Sequence, residues 1–315
     1  MGFKTVFIIT ISTLRMVFPG IAPTADLTAR DQSGTIPVTR SVGIGFYSGR
    51  EAGESAYAVA RIPSGLGVGE RAPLTIDRRA SAREPDEGGA GAESSQVSER
   101  TYWGCGDSIA QGQPRGTTTS AAASSGFEAL PNRSVAYWAG PPRGALPDEA
   151  EPLGLYTLDT SFAGATSVSV GADQAFLPAV NIVSDTSKLD LAKPMRIEWG
   201  PVAGALGYLV TAFGGTADVS INWTSSADPD AAQGMDARAL SDEELGALLE
   251  KGILLPATAT SCTIPGGAFS GSVGAMISVT AFGRDKIQEK NGIQTRVVVR
   301  SNATMALMPP NPAAR

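Results

Sequence analysis

Apolar residues alternate with small or polar ones in short runs, and Gly or Pro closes nearly every run. Successive side chains of a strand point to opposite faces, so this pattern limits the chain to folds built from many short strands. In the run Arg196-Ile197-Glu198-Trp199, Ile197 and Trp199 share one face, and Arg196 and Glu198 share the other. Tyr208, Val210 and Ala212 share a face in the next run. The 37 Gly and 21 Pro among 315 residues supply the turns. Further strands are expected within 34–76, 134–142, 153–170, 177–184, 217–226, 260–264, 275–283 and 294–301. One buried and one exposed face per strand is what two packed sheets require. The expected fold is therefore mainly β, a β-sandwich with a β-rich N-terminal part before it.

One segment breaks the period. Ser241 and Glu244 form a capping box, in which each side chain can bond the other's backbone amide. Leu240 and Leu245 hold the staple positions, and Asp242, Glu243 and Glu244 suit the positive start of a helix. Gly252 suits its left-handed end. The spacing predicts one helix inserted within 225–256, packing on the sandwich through Leu245, Leu248 and Leu249.

At about 100–200 residues per domain, the length suits two domains. Lys4 followed by the apolar run Thr5 to Leu14 reads as an export leader. Arg15 and Pro19 make the stretch a poor membrane span. Residues 1–29 are expected to be a signal peptide ending near Ala22 to Ala29, with 30–76 a β-rich segment after it. Residues 77–99 carry charge, Gly, Ser and Ala but one large aliphatic residue, too little burial to offset ordering, and read as a linker. Residues 100–174 read as β-rich with a low-complexity patch at 116–126, and 175–308 as the sandwich.

The chain has no His, which removes the imidazole base of Ser-His-Asp and Cys-His nucleophile systems and the His-rich zinc sites. Two Cys cannot make a four-thiolate zinc site. A net charge of -6 argues against a nucleic-acid partner. No cofactor and no metal site is expected, and no transmembrane span in the mature chain.

Trp199-Gly200-Pro201-Val202, then Ala205, Gly207-Tyr208 and Val210, resemble the run of fibronectin type III domains in which a core Trp strand precedes a core Tyr strand. Thr263-Ile264-Pro265-Gly266 and Ile277 to Ala281 are similar to that family's closing strands. The resemblance covers roughly 175–305 and departs from the pattern at the insertion 225–256. It implies a fibronectin type III-like sandwich and says almost nothing of function. Tyr102-Trp103-Gly104-Cys105-Gly106, Gly112-Gln113-Pro114-Arg115, Trp223-Thr224-Ser225-Ser226, Leu254-Leu255-Pro256 and Cys262-Thr263-Ile264-Pro265 resemble an uncharacterised family of exported bacterial proteins. That resemblance implies a bacterial origin and a shared architecture, and no activity.

Several groups carry possible chemistry. Cys105 and Cys262 either bridge in an oxidising compartment, stay as separate buried thiols, or react. Gly106-Asp107-Ser108 resembles a block of SGNH esterases but lacks the His base, which leaves a turn. Asp228, Asp230 and Asp236 lack the ligand spacing of a calcium loop and read as a solvated acidic loop. Glu198, Asp159 and Asp190 could serve a His-free glycoside hydrolase, but no spacing singles out a pair. Trp103, Trp138 and Trp223 are candidate sugar-stacking residues, since an indole face is apolar and its edge polar. The expected function is a non-enzymatic structural, adhesive or protein-interaction role at the bacterial envelope. The expected partner is a protein or polysaccharide, in the periplasm, at the outer surface or in the medium. The alternatives are a carbohydrate-binding module and a carboxylate-dependent glycoside hydrolase.

Overall fold

The computed structural model describes residues 5–17, 38–77, 96–120, 134–141, 146–185 and 189–308. The first half contributes strands β1 (Thr5–Val17), β2 (Thr39–Ser48), β3 (Ala58–Arg61), β4 (Arg71–Pro73), β5 (Thr75–Asp77), β6 (Gln96–Trp103), β7 (Arg115–Ser120) and β8 (Ser134–Tyr137). Next come β9 (Gly154–Thr160), β10 (Gly164–Val170), β11 (Met195–Glu198), β12 (Gly207–Gly215) and β13 (Val219–Thr224). Two short helices follow, α1 (Pro229–Ala232) and α2 (Asp242–Glu250). The chain closes with β14 (Leu255–Pro256), β15 (Ser261–Ile264), β16 (Ala275–Phe282), β17 (Lys286–Lys290) and β18 (Ile293–Leu307).

The protein is mainly β. Its main sheet runs in the order β5-β8-β2-β1-β18-β16-β12-β13-β6-β7, with β14 paired to β12 and β17 to β18. Two smaller sheets, β10-β9-β3-β4 and β11-β15, complete the set. β1 runs parallel to β18 and β6 parallel to β13, and the other pairs are antiparallel. A single apolar core joins all three sheets. The main sheet supplies Phe7, Ile9, Ile11, Phe46, Val279, Val297 and Val299, and the smaller sheets Tyr156, Leu158, Ile197 and Ile264. Trp199 lies against Tyr208 with ring centroids 5.5 Å apart, and the Tyr208 hydroxyl accepts from the Val202 amide at 3.0 Å.

The capping box forms as expected: the Ser241 hydroxyl accepts from the Glu244 amide, and the Glu244 carboxylate accepts from the Ser241 amide. Leu240 and Leu245 are buried, and Gly252 is left-handed at φ 65°. A second short helix, α1, also lies in the insertion, where one helix was expected.

Thr5–Val17, inside the stretch 1–29 expected as a leader, pairs on both sides as β1. The run is rich in Ile, Val and Thr, and Phe7, Ile9, Ile11 and Thr13 alternate as buried positions, which suits a strand. Pairing runs across positions 30, 100 and 175, because β1 bonds β18 and β6 bonds β13. The linker 77–99 falls mostly outside the described residues, but its last residues begin β6, and the low-complexity patch 116–126 begins in β7. Residues 177–184 form only an isolated bridge, Ile182 to Trp199. Side chains satisfy the backbone there instead. Thr13 donates to the Leu177 carbonyl, Ser301 donates to the Pro178 carbonyl, and the Val180 amide donates to Ser301.

Ile9 is fully buried between β2 and β18. Ile9→Ala should cost about 2–5 kcal/mol of stability in urea unfolding. An unchanged midpoint would place the first strand outside the folded protein.

Candidate functional site: a groove on the outward sheet face

The face of the main sheet turned away from the core carries the alternate side chains. Met276, Phe213, Asn222, Thr101 and Arg115 are successive cross-strand partners over β16, β12, β13, β6 and β7. A second row holds Thr304, Ser278, Thr211, Thr224 and Trp103, and a third holds Asn302, Thr280 and Leu209. Together with α1 and residues 233–236 these rows line a groove of about 810 Å³. Phe213 is 56% exposed and Met276 46%, directly opposite one another.

The polar floor is ordered by its own hydrogen bonds. Thr304 donates to the Asn302 side-chain carbonyl at 2.9 Å, so the 2.8 Å contact between Ser278 and Thr304 has Ser278 as donor. The Asn302 amide donates to Thr280 at 2.8 Å, and the Asn222 amide to Glu99 at 2.7 Å. At the rim, Arg115 pairs with Asp230 at 2.6 Å and lies 5.6 Å from the Trp103 ring centroid. That contact links the edge strand β7 to α1.

The insertion that walls the groove is anchored by a buried ion pair. Arg300 donates to both Asp285 carboxylate oxygens, at 2.7 and 2.9 Å. It also donates to the Asp236 and Arg238 carbonyls and stacks 4.3 Å from the Phe282 ring centroid. Asp285 accepts in addition from the Val299 and Leu240 amides. Burial pushes the Asp285 carboxyl upward, and the Arg300 charge with these donors pulls it back. Around the pair, Leu209 and Phe282 from the sheet pack with Ala232, Met235, Leu240, Leu245, Ile253 and Leu254 in a second apolar cluster.

The structure separates the residues singled out in the sequence. Trp103 lies on the groove face at the end of the second row, partly buried. Trp223 does not present its ring for stacking. It is 2% exposed and donates from Nε1 to the Gly104 carbonyl at 3.1 Å. Its polar neighbours Asn222 and Thr224 point outward, and the strand's period of two therefore turns Trp223 into the core. Trp138 follows β8 towards the opposite end of the sheet and packs against the main core. Cys105 and Cys262 form a disulfide with Cα atoms 5.4 Å apart, tying the loop after β6 to β15. Gly106 donates to the Thr263 carbonyl and Gly266 to the Asp107 carbonyl, so Gly106-Asp107-Ser108 is a stitch beside that bridge.

The carboxylates are held by local partners. Asp228 caps α1, and Asp230 pairs with Arg115. Glu198 accepts from Arg196 and Asp159 from Tyr57. The Ala192 amide, with Lys193, holds the Asp190 carboxyl below its ordinary range. Among the described residues, no group of three or more metal-ligating side chains is disposed to hold an ion. Phe213, Thr211, Ser278 and Asn302 were not singled out by sequence. Their signal was parity, since each sits out of phase with the buried residues of its strand.

No family model matches the chain, and no curated protein matches it. Among solved structures the chain is similar to the Fcho1 Mu homology domain of Danio rerio with bound Eps15 peptide, at 9% identity over 98% of each chain. The TM-score of 0.20 is too low for that likeness to support any statement of fold or function.

Arg300→Met or Asp285→Asn should each destabilise the protein by about 3–5 kcal/mol, because each leaves a buried partner unpaired. The double variant Arg300→Met with Asp285→Leu should regain little of that loss in the same denaturant titration, because it leaves the Val299 and Leu240 amides and the Asp236 and Arg238 carbonyls unpaired. The Ser241 amide, assisted by Arg238, holds the Glu244 carboxyl below its ordinary range. Its share of helix stability is thus present at neutral pH and lost as pH falls through that lowered value. Ser241→Ala should cost about 1 kcal/mol at pH 7. Thermal melts of wild type and Glu244→Ala should converge below the usual carboxylate range, where the wild-type carboxyl is protonated.

Proposed function

We propose that the protein is a non-enzymatic exported β protein that holds a partner at the bacterial envelope on the outward face of its main sheet. The groove carries this reading. Its floor is built from six strands, its polar groups are pre-ordered, and its apolar platform of Phe213 and Met276 is exposed. Export is supported by the Cys105–Cys262 bridge, since disulfides persist in oxidising compartments. No helix among the described residues is long and apolar enough to cross a membrane.

A fibronectin type III-like architecture for the C-terminal part is supported by the β11–β15 pair, the run β13-β12-β16-β18, and Trp199 beside Tyr208. The hydrolase alternative gains nothing from Asp159, Asp190 and Glu198, each engaged by a different local partner.

Sedimentation of the full chain with isolated bacterial envelopes should show saturable binding. Ser278→Tyr fills the groove from its floor and should abolish that binding with no loss of thermal stability. Binding that survives the substitution would put the partner elsewhere on the molecule.

A further inference from the structure

We infer that the occupant of the groove is a neutral oligosaccharide, with a sugar ring stacked on Phe213. This rests on the groove being the binding site, and it adds the chemical class of the ligand.

The groups presented match a polyol. Thr211, Ser278 and Thr280 offer hydroxyls, and Asn222 and Asn302 offer amides that donate and accept. The row from Met276 to Arg115 crosses four strand steps of about 4.8 Å, roughly 19 Å, the reach of an extended chain of rings rather than of one small molecule. Phe213 stands directly between Met276 and Asn222. One apolar ring face flanked by hydrogen-bonding edges is the arrangement a pyranose requires, because its axial C–H faces are apolar and its rim is hydroxylated.

Charge selects against an acidic glycan. Among the described residues, Glu99, Asp230 and Asp236 line the groove against a single lining cation, Arg115, and Asp230 already neutralises it at 2.6 Å. The surplus is negative, and a uronate or sulfate would meet like charge. A peptide strand is disfavoured on other grounds. β12, β13 and β16 are already paired on both sides, so the floor around Phe213 offers no open backbone edge for a peptide to join.

Titration of the full chain against matched neutral and uronate-bearing oligosaccharides of bacterial envelope polymers tests the assignment. Neutral glycans should bind. Phe213→Ala should weaken them about tenfold or more, with an unchanged melting temperature. Asp230→Asn, which frees Arg115, should raise the response to the uronate series. Tighter binding of uronate glycans by the wild type would overturn the assignment of class and leave the groove as the site. Neutral binding that ignores Phe213→Ala would overturn the placement of the sugar. Failure of every glycan, with envelope sedimentation still abolished by Ser278→Tyr, would overturn the sugar assignment alone and point to a protein partner in the same groove.

Discussion

The buried pair of Arg300 and Asp285 is the contact on which the working face of this protein depends. Arg300 is 5% exposed, and its guanidinium bonds a carboxylate and two backbone carbonyls of the insertion. Asp285 takes up the amides of Val299 and Leu240. One ion pair thus joins the turn after β16, the middle of β18 and the segment leading into α2. Two desolvated charges are costly apart and tolerable together only with full hydrogen bonding, so the insertion cannot swing away without stranding one of them. The groove wall is fixed for that reason, and so is the depth of the groove.

β18 organises the rest. It is long enough to pair β1 along one side and both β16 and β17 along the other. Its inward residues Val297, Val299, Ala303 and Met305 feed the core, while Arg300, Asn302 and Thr304 act on the outward face. One strand therefore carries both the packing and the site. The disulfide acts at the β6–β7 end of the sheet, where it ties the loop after β6 to the smaller sheet containing β15. A bridge closing 157 residues contributes about 5 kcal/mol in the chain-entropy account.

The edges of the smaller sheet are managed by side chains. Lys286, Gln288, Lys290 and Asn291 from the β17 hairpin bond carbonyls and a hydroxyl along β10. They occupy hydrogen-bonding capacity that an edge strand would otherwise offer to another chain. Among the described residues, the insertion covers part of the outward face of the main sheet, and Phe213 and Met276 stand exposed beside it.

The sequence by itself determined which positions alternate. Trp199 and Tyr208 were legible as core, Ser241 and Glu244 as a capped helix start, and the whole chain as mainly β, because these follow from local period and side-chain chemistry. The same local logic failed where the decisive partner lay far along the chain. The run at Thr5–Val17 is apolar enough for a leader, and its pairing with β18 and β2 has no local signature. Residues 177–184 have strand-like composition, yet Thr13 and Ser301 satisfy their backbone. Trp223 sits among polar residues in sequence and among apolar ones in space. The groove had no local signature, since each of its residues is an ordinary outward position. Only the order of strands, a matter of long-range pairing, places Met276, Phe213, Asn222, Thr101 and Arg115 in one row.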